Sequence, residues 1–359
     1  MSLDEESFSN QSQLLVEPLE QLINNNGIDI PLLPEVANKA LILAQDPESD
    51  ASKMAQLIQS DQSLAGHVMR IANSVAYTPL ANLVSLQQAI SRLGMAMISE
   101  IALSASIGAK FFNTPGYEDY VNDIWRHALS TALWAKEIAR HCRTNVEVAF
   151  LAGLLHSIGR PAILQSILDI AKQQKLELTE TETLYLEQIY AKQVSDTVIS
   201  SWQMPLMVIE AVHFCDDYEN APTAATQAAL VNAGAQFATH MLTPEVIDKK
   251  TLLTIPVLNT LNLYQDDVEK ILQQTENVKG RLEGLSSLII HPTIMMSWLL
   301  AVVLRGKNLQ FNQQSWVNEL PLLSRINYLV GLVCTVALSH PKPYVKMRFE
   351  LNICGKMRR

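Results

Sequence analysis

Residues Val148 to Arg160 read VAFLAGLLHSIGR, and the interpretation of the whole chain starts from this stretch. Its apolar residues recur at a spacing that predicts a helix buried on most of its circumference. One imidazole, that of His156, stands in this apolar wall. A polar group leaves water at a free-energy cost unless a partner satisfies it. His156 therefore either forms hydrogen bonds within the core or faces a site.

The residue after His156 decides whether such a site could hold a metal. An aspartate there would give a hard divalent cation a carboxylate and an imidazole from one helix end. The chain has Ser157 instead. A neutral hydroxyl supplies no charge to offset a dication, so the sequence keeps the frame of a metal site and loses its anionic half.

Composition predicts a large globular protein. The chain has 359 residues, enough for two or more domains. Hydrophobic residues make up 48% and charged residues 18%, below the roughly 25% charged residues of an ordinary domain, so we expect extensive burial. The four cysteines (Cys142, Cys215, Cys334 and Cys354) form no CxxC pair, which argues against a disulfide framework or a thiolate metal site. The acidic N-terminus shows no export signal, and a cytoplasmic location fits best.

The net charge of −9 is unevenly distributed along the chain. From Arg305 onward there are nine basic and two acidic residues, so this part carries +7 and the remainder carries −16. An acidic body repels phosphate backbones. We therefore expect no nucleic acid among the partners of the body.

Periodicity and capping residues predict a succession of helices. Asp50 and Asp61 are placed as N-caps, Ser85 and Gln88 form a capping-box pattern, and the sequence Ala72 to Ser74 predicts a helix end. No sustained two-residue alternation occurs in the first 280 residues. The sequence therefore predicts an all-α fold, a multi-helix bundle with an N-terminal helical subdomain.

Several separated blocks carry a resemblance to a known family. They read PLLPEVANKAL, IQSDQSLAGHVMRIANSVAY, VSLQQAISRLGM, WRHALSTALWAKEIAR, AGLLHSIGR and SSWQMPLMVIEAVHF. Over residues 11–285 the chain resembles the HDOD domain family, which is related to the HD and HD-GYP phosphohydrolases. The resemblance implies an HD-like helical bundle with an N-terminal part (11–112) and an HD-like part (113–285). It also implies a bacterial regulatory module that is usually non-catalytic and that binds signalling proteins.

The resemblance also implies a degenerate metal site. His127 stands where HD enzymes have their first metal histidine, and His156 stands where they have the histidine of the HD pair. Ser157 replaces the aspartate of that pair, and Ala235 aligns with the last metal aspartate. Residues Ala191 to Ser195 lack the additional histidines of the two-metal relatives. Two imidazoles without a carboxylate hold a catalytic cation poorly, so we expect no catalytic residue, no metal and no cofactor.

Alternative interpretations remain for each of these residues. The preferred one for His127 and His156 is a pair of core histidines that are hydrogen-bonded to the backbone or to Ser157. His213 beside Cys215 could chelate a soft metal, but an incidental pair is the preferred interpretation. The alternative function is a divergent metal-dependent phosphohydrolase that uses the two histidines and carboxylates from elsewhere in the chain.

Residues 286–359 form an apolar, basic extension of unknown role. The run from Gly284 to Leu304 is uncharged and long enough to cross a bilayer, but His291 and Pro292 interrupt it. We therefore prefer a buried helical hairpin or an interfacial anchor, in which Ile326 to Leu338 supplies the second stretch. The basic residues would suit an anionic membrane surface, so a peripheral or tethered location at the inner face of the membrane is the alternative to a free cytoplasmic one.

The C-terminal residues Val345 to Ile353 read VKMRFELNI, with strict alternation of apolar and polar residues. This pattern predicts a strand. Because the rest of the chain is predicted to be helical, we expect this strand to need a partner chain or to stay disordered.

Overall fold

The structure is a computed structural model. It describes residues 10–25, 27–74, 77, 83–108 and 111–286, together with the backbone of 333–337 and 346–350. The chain divides into two compact units, Met1–Ile290 and His291–Arg359. This division lies close to the domain boundary predicted after residue 285.

The described part of the first unit is helical, which confirms the predicted all-α class. Its helices are α1 (Asn10–Asn24), α2 (Glu35–Gln45), α3 (Ala51–Gln59), α4 (Gln62–Ala72), α5 (Leu86–Leu93), α6 (Met95–Ser106), α7 (Glu118–Cys142), α8 (Val146–Leu155), α9 (Gly159–Gln174), α10 (Glu180–Ser201), α11 (Leu206–His213), α12 (Ala225–Leu242), α13 (Lys249–Leu252), α14 (Val257–Thr260), α15 (Gln265–Leu272) and α16 (Thr275–Ser286), with a 3₁₀ turn at Tyr218–Asn220.

Local polar residues start and end these helices as the sequence predicts. The side chain of Asp50 accepts hydrogen bonds from two backbone N–H groups at the start of α3, and Asp61 does the same for one at the start of α4. Ser85 caps α5, although the reciprocal bond of Gln88 goes to the N–H of Val84. Asn73 follows α4, and its side chain bonds both the N–H and the carbonyl of Leu83, at 2.7 and 2.9 Å.

Helices α2 to α6 pack together as the N-terminal bundle, but α1 packs elsewhere. The apolar face of α1 contacts α9 and α10 of the HD-like part and buries Leu15, Leu19 and Ile23. The segment that follows α1 is held to the end of α10 by a hydrogen bond of 3.0 Å from Trp202 Nε1 to the carbonyl of Pro31. The first helix of the predicted N-terminal part thus supports the HD-like part.

Helix α7 lies at the centre of the HD-like part, between α8 and α12. Two glycines allow the close approach of these neighbours. A Cβ on Gly153 of α8 would lie 2.8 Å from the Cα of Ala132, and a Cβ on Gly234 of α12 would lie 2.8 Å from the carbonyl oxygen of Thr131. Both helices therefore pack backbone to backbone against α7, which fixes the positions of the side chains between them.

In the part of the chain that the structure describes, one helical segment is long and apolar enough to span a bilayer. It runs from Val146 to Gln174, and 67% of its apolar window is buried inside the body. This burial is typical of a core helix.

The second unit contains a two-stranded antiparallel ribbon formed by β1 (Val333–Ala337) and β2 (Lys346–Glu350). The strand predicted in Val345 to Ile353 is confirmed over these residues of β2. The expectation that it needs a partner chain or stays disordered is wrong, because β2 pairs with β1 of the same chain. The prediction that Ile326 to Leu338 supplies a helix is also wrong for Val333–Ala337, which form β1. Most of the run from Gly284 to Leu304 lies outside the described residues.

A buried ion pair joins the N-terminal bundle to the HD-like part. Lys136 of α7 donates hydrogen bonds of 2.6 and 2.5 Å to the two carboxylate oxygens of Glu100 of α6. Lys136 is 4% exposed and Glu100 is 8% exposed. Burial raises the pKa of Glu100 and lowers the pKa of Lys136, since each charge has lost water. The pair compensates two desolvated charges at the junction of α6 and α7, between residues that lie 36 positions apart in sequence.

We expect Lys136→Met to lower the free energy of unfolding by about 3–5 kcal/mol, because it leaves the Glu100 carboxylate buried without a counter-charge. The double variant with Glu100→Leu should regain most of this loss, because it removes both desolvated charges. Urea unfolding at pH 7 measures both values. A double variant that is no more stable than the single one would show that the ion pair is not the source of the effect.

Candidate functional site

Helices α7, α8 and α12 bring the two predicted histidines together. His127 lies on α7, and His156 follows the last residue of α8. Their ring centroids are 6.0 Å apart, with an angle of 52° between the ring planes. The structure thus places both imidazoles at one site, as the family resemblance implies.

His156 is held by a backbone carbonyl. Its Nδ1 lies 2.8 Å from the carbonyl oxygen of Gly153. Because a carbonyl only accepts, Nδ1 carries the proton, and Nε2 of the neutral ring keeps a lone pair. Burial, with the nearby His127, lowers the pKa of His156 to about 4. The ring is therefore neutral at physiological pH.

His127 is held by a side chain that the sequence analysis did not identify. Its Nε2 lies 3.0 Å from the hydroxyl oxygen of Thr239 on α12. That hydroxyl donates its own proton to the carbonyl of Ala235, at 2.9 Å, so it accepts from His127. Burial and the Arg160 guanidinium lower the pKa of His127, and the Ala235 carbonyl opposes this shift. The Nε2 nitrogen of His127 is thus occupied by a protein hydrogen bond.

The side chains of Ser157 and Ala235 supply no charge to the site. The side chain of Ala235 is a methyl group, and its backbone carbonyl accepts the hydrogen bond of Thr239. The Ser157 hydroxyl is buried and has no hydrogen-bond partner among the described residues. Ser157 lines an apolar cavity of about 20 Å³, together with Phe112, Trp125, Leu154, Ile158 and Pro161 among others. The histidine partners are therefore Gly153 and Thr239 and not Ser157.

The polar group beside the histidines is cationic. Arg160, at the start of α9, lowers the pKa values of both imidazoles. Its Nε donates a hydrogen bond of 2.6 Å to Glu187, which is 1% exposed. Tyr120 donates a bond of 2.9 Å to the same carboxylate and accepts one from Arg160. Glu187 is therefore committed to a guanidinium and a phenol, and the positive charge of Arg160 opposes the binding of a cation.

Helix α10 packs directly against the turn that follows His156. A Cβ on Gly159 would lie 2.1 Å from the carbonyl of Ala191 and 2.3 Å from the backbone nitrogen of Ser195. The N–H of Gly159 donates to the Ser195 hydroxyl at 2.9 Å, and this hydroxyl faces the carbonyl of His156 at 3.5 Å. The HSIG turn and α10 are in direct backbone contact, which leaves no room between them for an additional metal ligand.

His213 lies on α11, and its hydrogen-bond partner is Asp196 and not Cys215, the residue considered in the sequence analysis. Its Nδ1 is 2.7 Å from Asp196 on α10. Cys215 is buried, and burial raises the pKa of its thiol to about 12, so the thiol stays protonated. Among the residues that the structure describes, no group of three His, Cys, Asp or Glu side chains has an arrangement that could hold a metal ion.

The family model for the HDOD domain matches residues 30–218 of this chain. A proposed metal-dependent phosphohydrolase from Shewanella amazonensis has a similar structure, with a TM-score of 0.61 and 19% identity, over 77% of this chain and 100% of the other. An HDOD domain protein of unknown function from Geobacter sulfurreducens has a TM-score of 0.60 and 20% identity, over 77% of this chain and 100% of the other. A proposed signal transduction protein from Marinobacter aquaeolei has a TM-score of 0.56 and 22% identity, over 79% of this chain and 69% of the other. No curated protein shows significant sequence similarity.

The buried histidines predict a loss of stability in acid. The unfolded imidazole of His156 takes up a proton near pH 6.5, whereas the folded one resists protonation until about pH 4. The folded state therefore binds fewer protons in this window, and the free energy of unfolding falls as the pH falls, by about 2 kcal/mol between pH 7.5 and pH 5 from this group. Below about pH 4 the contribution is constant.

Urea unfolding of the wild type and of His156→Asn at both pH values measures this difference. The variant should lose this part of the pH dependence whatever its stability at pH 7.5. Val84→Ser is the matched control, because that side chain is 80% exposed and does not titrate, and it should leave the difference intact. An unchanged pH dependence in His156→Asn would contradict the assignment.

Proposed function

This chain belongs to the HDOD domain family, and we propose that it is a non-catalytic regulatory protein of bacterial signal transduction that acts by binding other proteins. The expected partners are signalling proteins. The free thiols of Cys142 and Cys215 favour a reducing cytoplasm. Association with the inner face of the membrane through 286–359 remains the alternative.

The observation that carries the non-catalytic proposal is the hydrogen bond of His127 Nε2 with Thr239. A catalytic dication in a protein is held by several ligands, and it activates a water molecule in a site of fixed geometry. Here one imidazole donates its proton to a threonine, and the positions of Ser157 and Ala235 hold no carboxylate. The Arg160 charge adds repulsion. This combination argues against a resident metal at the histidine pair.

The fold supports the regulatory part of the proposal. The Marinobacter aquaeolei protein, whose structure resembles this one, is described as a proposed signal transduction protein. The phosphohydrolase alternative is favoured by the Shewanella amazonensis protein. It would require a carboxylate that is free to reach the histidines, and Glu187 is already committed to Arg160 and Tyr120.

The purified full-length protein should contain substoichiometric metal and should not turn over phosphoester or cyclic-nucleotide substrates. The triple variant Ser157→Asp, Ala235→Asp, Thr239→Val should bind Mn²⁺ more tightly, because it supplies two carboxylates and frees His127 Nε2. Metal analysis and calorimetry with Mn²⁺ measure this. Adding His156→Ala to the triple variant is the control and should abolish the gain. A wild-type protein that binds metal stoichiometrically and loses turnover on His156→Ala would overturn the non-catalytic proposal.

The protein-binding part has a separate test. Cross-linking of the full-length protein in its native cells should recover specific proteins, and an equally abundant His156→Asn variant should recover the same ones, because the histidine site has no catalytic role. Recovery of no specific protein by either form would contradict the proposal.

A further inference from the structure

The start of α11 exposes large apolar side chains that have no part in the histidine site. Leu206 is 82% exposed and Met207 is 39% exposed. The opposite face of the same helix buries Val208, Ala211 and Val212, where α11 packs against α8 and α12. The helix is therefore anchored to the core by one face, and it holds two apolar side chains in solvent in a fixed place.

The loop before α12 is fixed against this exposed end. The Glu210 carboxylate accepts hydrogen bonds from the backbone N–H groups of Thr223 and Ala224, the second at 2.6 Å. It also accepts one from the Thr223 hydroxyl at 2.6 Å. That hydroxyl lies 3.9 Å from the sulfur of Met207. The loop and the apolar end of α11 form one continuous surface.

This surface is acidic. Asp216, Asp217 and Glu219 are exposed in the loop that leads to Thr223. From Gln193 to Asp248 the chain has seven acidic residues and no lysine or arginine, although the whole chain has 27 of them. The exposed apolar residues of α11 thus lie on a stretch of chain without lysine or arginine, and Lys192 of α10 is a basic side chain close enough to lower the pKa of Cys215.

A second exposed leucine lies in the segment that precedes α2. The hydrogen bond from Trp202 to the carbonyl of Pro31 ties the segment before α2 to the end of α10, four residues before Leu206. Leu32, the next residue in that segment, is 89% exposed. We call Leu32, Leu206, Met207, Asp216, Asp217 and Glu219 the α11 surface.

We propose that the α11 surface binds a basic amphipathic helical segment of a partner protein, which rests on the proposed protein-binding function. The apolar side of such a segment would cover the leucines and Met207, and its lysines or arginines would face the acidic loop. A second copy of this chain fits poorly, because a symmetric contact would bring two acidic surfaces together. Nucleic acid and anionic lipid are repelled by the same charge.

Fluorescence anisotropy of a labelled 18-residue amphipathic helix of leucine and lysine, titrated with the full-length protein, tests this proposal. Leu206→Ser with Met207→Ser, and separately Asp216→Lys with Asp217→Lys, should each weaken binding by about tenfold or more. The matched controls are Val84→Ser, which changes a valine that is 80% exposed, and Glu276→Lys with Glu283→Lys, which reverses two exposed charges on α16. These should change the affinity by less than about twofold.

Equal weakening by the control variants would show a general attraction to the acidic body and would overturn the proposal, as would the absence of binding. Circular dichroism melting curves confirm that each variant is folded. Failure of the α11 assignment can be distinguished from failure of the protein-binding proposal. If the native partners recovered by cross-linking remain bound to the Leu206→Ser, Met207→Ser variant, the regulatory function stands and the assignment to the α11 surface fails.

Discussion

Helix α7 has no space for one extra methyl group where it meets α8 and α12. A Cβ on Gly153 or on Gly234 would lie 2.8 Å from a backbone atom of α7. Because these contacts are between backbones, they cannot be relaxed by rotating a side chain. They fix the relative positions of His127, His156 and Thr239, and the properties of the site follow from that arrangement.

Within this frame, each histidine forms a hydrogen bond with a protein group. The carbonyl of Gly153 holds one imidazole, and Thr239 holds the other. Both rings are half-buried and have lowered pKa values, which favours their neutral forms. A neutral pair with a nearby guanidinium is a stable element of the core, and it needs no ion to offset charge. The same arrangement explains how the frame of a metal site can persist in a protein that we propose to act by binding other proteins.

The remaining polar groups connect parts of the molecule. Lys136 and Glu100 join the N-terminal bundle to the HD-like part through a desolvated ion pair. Glu137 accepts hydrogen bonds from Arg140 of its own helix and from Arg281 of α16, at 2.5 and 2.9 Å. Through these contacts α7 binds both the N-terminal bundle and α16. The exposed end of α11 lies outside this network, which leaves it available for a partner.

The sequence alone determined the helical class and the helix starts at Asp50 and Asp61. Each of these depends on residues within about four positions of each other, where helical periodicity and capping apply. Only the tertiary structure decided that Thr239 bonds His127, that Glu187 pairs with Arg160, and that β1 pairs with β2. Thr239 and His127 are 112 residues apart, although the position of Thr239 one turn after Ala235 was a usable signal. Local patterns specify which faces are buried, but backbone packing between distant helices decides which polar groups meet on those faces.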